Sequence, residues 1–511
     1  MSDVSAPISL AQVLIAGEWR DSRSTASFQA EDPTRGEALP ESYPVSSWEE
    51  ALEAVNAGAA AAEILERASS TEIGVFFEAY ASEIEARSDA LTECAHAETG
   101  LPADPRLRNV ELPRTTDQLR QAAAVARAET WRRPIHDEAR NIHSTFAPLG
   151  GPVIVMGPNN FPFAFNSVAG GDFAAALVAH NPVIAKANPG HPGTTRLLAE
   201  AAHEALRRTG LPPATVQMIY HLKNEDGLKL VSHPLTAATA FTGSRAAGVR
   251  LKTAAEAGGK LIYLEMSSVN PVVVLNGALR ERTGEIAEEF FSSCTLGTGQ
   301  FCTNPGLVIV PDTPDGQVFI DAAKQRFEAA PPGILLGRGV REGAKEGVAR
   351  LRKFGVKLLC GGAEAEGPAY RFQNTLLVAT GHDFLRHPRE LQTEVFGPSS
   401  LIVVSAGTEQ TAAMLRHVDG SLTGTIYFGS ADVDDYAAIE PILRRKVGRL
   451  IGNRMPTGVA VSPAMSHGGP YPATGHPGFT AVGLPVSAQR FAKLQCYENL
   501  PAELLPRVLR A

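Results

Sequence analysis

The stretch GGPVIVMGPNN, residues 150–160, decides the fold. Val153-Ile154-Val155-Met156 is an apolar run rich in β-branched residues, closed at both ends by Gly and Pro. It has no polar face, so it reads as a parallel strand buried on both sides. Outward from it the pattern repeats. A helix (FNSVAGGDFAAALVAH) leads to a strand (PVIAKA), a helix (TTRLLAEAAHEALRRTG), a strand (TVQMIYH) and a short helix (GLKLVSH). Then come a strand (AATAFTG), a helix (AAGVRLKTAAEAG) and a strand (KLIYLEM). Strands alternating with helices predict an α/β domain with a mainly parallel sheet, whose C-terminal strand ends form the ligand edge. A second βα series is expected from 271 to about 465, through PVVVL, GLVIVPD, FGVKLLCGG and SLIVVSA.

Upstream, residues 47–95 read as helical. Ser47-Trp48-Glu49-Glu50 has the capping-box spacing, in which the Ser hydroxyl accepts an early N–H and Glu50 reaches back. A third helix is expected over 109–128. Residues 130–150 fit neither series and read as an extended hairpin that 487–511 joins.

The chain has 511 residues, too many for one compact core, so two or three domains are expected. A net charge of −8 and no long basic cluster argue against a nucleic-acid partner; Arg444-Arg445-Lys446 and Trp131-Arg132-Arg133 are short surface runs. No apolar run is long enough to cross a membrane, and the N-terminus has no basic start or secretory core. The five cysteines are scattered, with no CxxC pair. That pattern predicts a reducing cytoplasm and no metal site.

Four places carry candidate chemistry. Cys302 lies in GTGQFCTNPG (297–306), framed by Gly297, Gly299 and Gly306 and pinned by Pro305. A thiol so placed suits a nucleophile, or a small buried cysteine in a loop. Glu265, in LEMSSVNP, ends an apolar strand; burial is expected to raise its pKa toward that of a general base, unless backbone N–H groups hold it as a structural carboxylate. Asn160, in GPNNFPFAF, is positioned to donate to an oxyanion or to build a turn. AFTGSRAAGVR (240–250) runs a strand into a helix N-terminus, which suits a pyrophosphate, although it is no GxGxxG fingerprint.

In combination these stretches resemble the aldehyde dehydrogenase family. The markers occur in order: AGEWRDS, PNNFPFAF, PVIAKANPGHPGT, FTGSRAAG, LEMSSVNPVVV, GTGQFCTNPG, TEVFGPSS and RFAKLQCYENLP. The resemblance implies two Rossmann-type βα domains and a small β oligomerisation element. By it, 1–129 and 151–265 are the cofactor-binding domain, 266–470 the catalytic domain, and 130–150 with 487–511 the oligomerisation element of a homodimer or dimer of dimers. It implies that Cys302 attacks the aldehyde carbon, that hydride leaves a thioester, and that Glu265 activates the hydrolytic water. Asn160 and the Cys302 N–H would form an oxyanion hole, each donor worth about 3–4 kcal/mol of barrier.

The resemblance also assigns Lys186 to the adenosine ribose, Gly243 and Ser244 to the pyrophosphate, and Glu394 to the nicotinamide ribose. Phe396 and Pro158 fall beside the cofactor, and Phe161 beside the substrate. Pro189 stands where NAD-preferring relatives often carry a carboxylate, so NADP is expected at least as readily as NAD, with His191 or an Arg near a 2′-phosphate. PAMSHGGPYPATG (463–475) departs from the usual PFGG-like motif and points to the α-ketoglutaric semialdehyde branch and its fatty-aldehyde relatives. Arg454 is then a candidate anchor for an acidic substrate, or half of a structural ion pair. Glu265 argues against a CoA-acylating enzyme. A cysteine hydrolase without a redox step would require a His beside Cys302.

Overall fold

The structure is a computed structural model, which describes residues 10–510. The N-terminal nine residues, on which the expectation about a leader rests, lie outside it.

The run at 153–156 is the third strand of a seven-stranded sheet and the central one of its five parallel strands. Its order is Leu261–Glu265, Ala238–Thr242, Val153–Met156, Val183–Lys186, Val216–Ile219, Val13–Ile15 and Glu18–Arg20. The first five strands are parallel, as the βα alternation predicts, and Val153–Met156 is buried throughout. The last two are an antiparallel addition that the sequence pattern did not announce. Each has three residues, too few to display alternation.

The helices cover this sheet. Ser47 caps Trp48–Leu65 with the expected reciprocal bonds: its hydroxyl accepts from Glu50 N at 3.2 Å, and its own N–H donates to Glu50 at 2.9 Å. The periodic stretch after it is two helices, Ser70–Ala86 and Ser88–Thr99, broken at Arg87. Phe76, Phe77 and Tyr80 pack on Phe173 of the helix Gly171–Val178 at 5.9–6.5 Å between ring centroids. The helix expected over 109–128 is Leu112–Ala128, with a wider π-helical turn at Ala103–Glu111 before it.

The second sheet runs Lys357–Cys360, Thr375–Thr380, Ser399–Ser405, Leu307–Pro311, Val272–Val274, Ser421–Tyr427 and Val447–Gly452. It is parallel except at one edge. FGVKLLCGG, expected within the parallel series, supplies the antiparallel strand Lys357–Cys360. Apolar side chains fill both faces of the sheet. A third, antiparallel sheet joins Ile135–Asp137, Ile142–Pro148 and Ala492–Glu498. The buried pair Arg490–Asp172 (2.8 Å) and the bond from Asn181 Nδ2 to Phe491 O (2.8 Å) tie the 490s to the first domain.

Candidate active site

The C-terminal strand ends of the first sheet face the loop that carries Cys302. That loop is held in an unusual backbone. Gly297, Thr298 and Gly299 are all left-handed, with φ between 56° and 66°. A Cβ on Gly299 would lie 2.1 Å from Gly397 O, so only glycine fits there. Gly306 has no such φ. Asn270, itself at φ 47°, bolts the loop down: its Nδ2 donates to Cys302 O and Asn304 O, both at 2.8 Å. Its Oδ1 accepts from Ser268 Oγ at 2.8 Å. This is what the Asn-Pro of LEMSSVNP does.

Cys302 is half-buried. Its Sγ lies 3.3 Å from His467 Nε2, and that nitrogen lies 3.2 Å from Glu265 Oε1. His467 and Glu265 are buried. The ligand atoms of the three side chains lie within 4.8 Å of one another, a donor set that can also span a metal ion. His467 was not among the residues the sequence singled out. It arrives because 473–475 docks on the end of the strand Leu261–Glu265: Gly475 N donates to Leu264 O at 3.0 Å and Met266 N to Ala473 O at 2.7 Å. The signal was the histidine inside PAMSHGGPYPATG, the stretch that departs from the family pattern.

The electrostatics differ from expectation at Glu265. Burial works to raise its pKa, but the neighbouring His467 and the Cys302 thiol outweigh it, so the carboxyl is held below its usual range. Its other oxygen, Oε2, is buried without a partner among the described residues. The Cys302 thiol goes the other way: burial, then the Glu265 charge, push it well up. The sulfur rests as a thiol beside a ready carboxylate.

The PNNFPFAF loop is clamped from the helix side. Buried Glu111 accepts from Phe163 N (2.8 Å) and Ala164 N (3.0 Å), and its second oxygen pairs with Arg106. Asn160 is buried, and its Nδ2 donates to Gln300 O at 2.9 Å. An Asn amide carries two N–H donors, so this bond fixes the group and leaves the second donor. Phe161 stacks edge-on against Phe165 and Phe301, with centroids 5.2 and 5.3 Å away.

The residues assigned to a dinucleotide lie along one edge. Lys186 ends its strand half-buried, with no side-chain partner among the described residues, and burial lowers its pKa to about 8. Ser244 caps the helix Arg245–Ala257, its hydroxyl accepting from Ala247 N at 3.4 Å. A Cβ on Gly243 would sit 2.7 Å from the Phe241 ring, which would have to move to admit it. Glu394 accepts from Ser268 N at 3.2 Å and lines a pocket with Phe396, Val269 and Phe301. Such an unpaired cation, a helix N-terminus and a pocketed carboxylate fit a dinucleotide.

Two assignments, His191 and Arg454, fare differently. His191 is buried, with Nε2 on Pro158 O at 2.8 Å and Nδ1 3.4 Å from Thr195 Oγ1, so it presents no face to a phosphate. Pro189 is exposed beside it. Arg454 is exposed, and its carbonyl accepts from Thr425 Oγ1 at 3.2 Å. The arginines that a Cys302 thiolate would stabilise are instead Arg114 and Arg449.

The fold and this site define an aldehyde-oxidising enzyme. The aldehyde dehydrogenase family profile matches residues 19–471, and the chain belongs to that family. It is 42% identical over 446 residues to alpha-ketoglutaric semialdehyde dehydrogenase 2 of Azospirillum brasilense, covering 85% of this chain and 84% of that one. It is 37% identical over 447 residues to alpha-ketoglutaric semialdehyde dehydrogenase of Acinetobacter baylyi, with the same coverage. Among solved structures, lactaldehyde dehydrogenase from Escherichia coli superposes with a TM-score of 0.83 at 21% identity, covering 96% of this chain and 98% of that one. A Pseudomonas syringae aldehyde dehydrogenase solved with NAD+ and octanal gives 0.83 at 19%, covering 97% and 98%. Membership makes the chain an oxidoreductase. The hydrolase reading asked for a His beside Cys302, and His467 is there, but the family is that of a redox enzyme. Among the described residues no helix is long and apolar enough to cross a membrane.

Proposed function

We propose that the protein oxidises a carboxylate-bearing semialdehyde such as 2,5-dioxopentanoate to the corresponding acid, with NADP bound at least as well as NAD. The observation that carries the reaction is the Cys302–His467–Glu265 cluster. The substrate class draws on the two semialdehyde dehydrogenases that resemble the chain over most of its length. The cofactor preference draws on Pro189, which offers no charge to repel a 2′-phosphate.

The thiol of Cys302 gives its proton to Glu265 as sulfur bonds to the aldehyde carbon. The oxyanion receives the Cys302 N–H and the second Asn160 donor. Lys186, Ser244, Glu394 and Phe396 would hold a nicotinamide dinucleotide, which would supply the hydride acceptor. What remains on Cys302 is a thioester. Glu265, its proton passed on to solvent, then takes one from water through the unpartnered Oε2, and the water oxygen attacks the acyl carbon. The acid leaves and Cys302 regains a proton. His467 orients Glu265 throughout.

The sheet of 135–148 and 492–498 would serve self-association. Ile135 and Leu494 are each 62% exposed on it, which a partner surface would bury.

The test is reduced-nicotinamide formation from 2,5-dioxopentanoate, from fatty aldehydes and with or without CoA. Faster turnover of the semialdehyde without CoA is expected. A strict CoA requirement, or a large preference for NAD in cofactor titrations, would overturn the corresponding part.

A further inference from the structure

The structure places one guanidinium beside the reaction centre with two hydrogen-bond donors unused among the described residues. Arg114 lies near the start of the helix Leu112–Ala128, just past the π-helical turn that leads into it. Its Nε and Nη2 are buried and have no partner among the described residues. The nearest carboxylate does not satisfy them, because Glu111 spends one oxygen on two backbone N–H groups and the other on Arg106. Burial works against the charge, and a buried, unpaired cation is costly to keep.

What surrounds Arg114 belongs to the substrate side. Its guanidinium carbon lies 5.4 Å from the Phe165 ring centroid and 5.8 Å from that of Phe161. Phe165 in turn lies 6.2 Å from the His467 ring, which contacts the sulfur. One aromatic ring therefore stands between Arg114 and the cluster that does the chemistry. The other arginines nearby are committed or turned away. Arg449 donates to Pro456 O at 2.7 Å and Gly458 O at 2.9 Å, Arg106 pairs with Glu111, and Arg454 faces solvent.

The free atoms also have the right shape. Nε and Nη2 lie along one edge of the guanidinium, and that edge presents two parallel N–H donors to the two oxygens of a carboxylate. We propose that Arg114 binds the distal carboxylate of the substrate and so selects ω-carboxylated aldehydes over uncharged ones, with Phe161 and Phe165 flanking the chain between the two ends. This rests on the substrate reading above and gives it a residue.

The experiment compares kcat/KM for succinic semialdehyde, 2,5-dioxopentanoate, butanal and pentanal in the wild type, Arg114→Met and Arg114→Lys. The wild type is expected to favour the acidic aldehydes. Arg114→Met should lower kcat/KM for them by about 100-fold, mainly through KM, and change the uncharged ones by less than about threefold. Arg114→Lys, which keeps the charge and loses the fork, should fall between. The melting temperature of Arg114→Met should equal or exceed that of the wild type, since an unpaired buried charge is removed. If the wild type prefers acidic aldehydes and Arg114→Met keeps that ratio, the anchor is elsewhere and this inference alone falls. If the wild type shows no preference for acidic aldehydes, the substrate reading falls and takes the inference with it. A lower melting temperature with an unchanged ratio would mark Arg114 as a packing residue and overturn its binding role.

Discussion

The Cys302 loop and the dinucleotide edge meet at one cleft but are built differently. Around Cys302 almost every group is tied: Asn270 to two carbonyls, Asn160 to Gln300, His467 to sulfur and carboxylate. Along the edge, among the described residues, Lys186 has no side-chain partner and Ser244 uses its hydroxyl on its own helix. The reacting groups are pre-positioned, which catalysis rewards because no reorganisation is left for the chemical step. The cofactor contacts are left for the ligand to complete. Damage to the first region should therefore appear in turnover, and damage to the second in cofactor affinity.

The largest test of that division is Cys302→Ala. Oxidation should fall by about 10,000-fold or more, while NADPH binding, followed by its dihydronicotinamide fluorescence, stays near that of the wild type. Comparable loss of both would break the contrast. Glu265→Gln should cost roughly 100- to 10,000-fold in steady-state turnover and let the acyl group accumulate on the protein, seen as added mass. A burst followed by normal turnover would remove the base role. Lys186→Met should weaken cofactor binding by roughly 10- to 100-fold with little change in kcat at saturation. The sign with pH follows from Lys186 titrating at about 8: below that it is an ammonium able to donate, so affinity should fall as pH rises through about 8 and become flat in the variant. The smallest effect sharpens the first region. In His467→Asn, burial is left to act on Glu265 with less opposition, so its pKa rises. The acid limb of the kcat/KM profile should move to higher pH by about one unit. An unmoved limb would mean that His467 does not set the carboxylate.

The division also explains what could be read from the chain before its fold was known. The sheet at 150–266 was legible because buried parallel strands are apolar without interruption, whereas the three-residue strands at 13–20 carry no period. Cys302, Glu265 and Asn160 sit in short family stretches, so each carried its own signal. His467 did not: it is 165 residues from Cys302, and the docking of 473–475 on the 261–265 strand, with Thr480 and Ala481 bonding its backbone, brings it close. Arg114 lies on an ordinary helix and is distinguished only by what it lacks, which no linear pattern records. Arg454 was a candidate anchor only because an acidic substrate would need a cation, and the residue is exposed.

The sheet that pairs Ile142–Pro148 with Ala492–Glu498 has a consequence for how the molecule is made. On the ribosome the first of these strands emerges long before the second. At about 5–20 residues per second the wait is on the order of tens of seconds. During it the hairpin keeps a bare edge able to pair with another nascent chain. Slow translation or crowded polysomes should thus favour mispairing there before anywhere else.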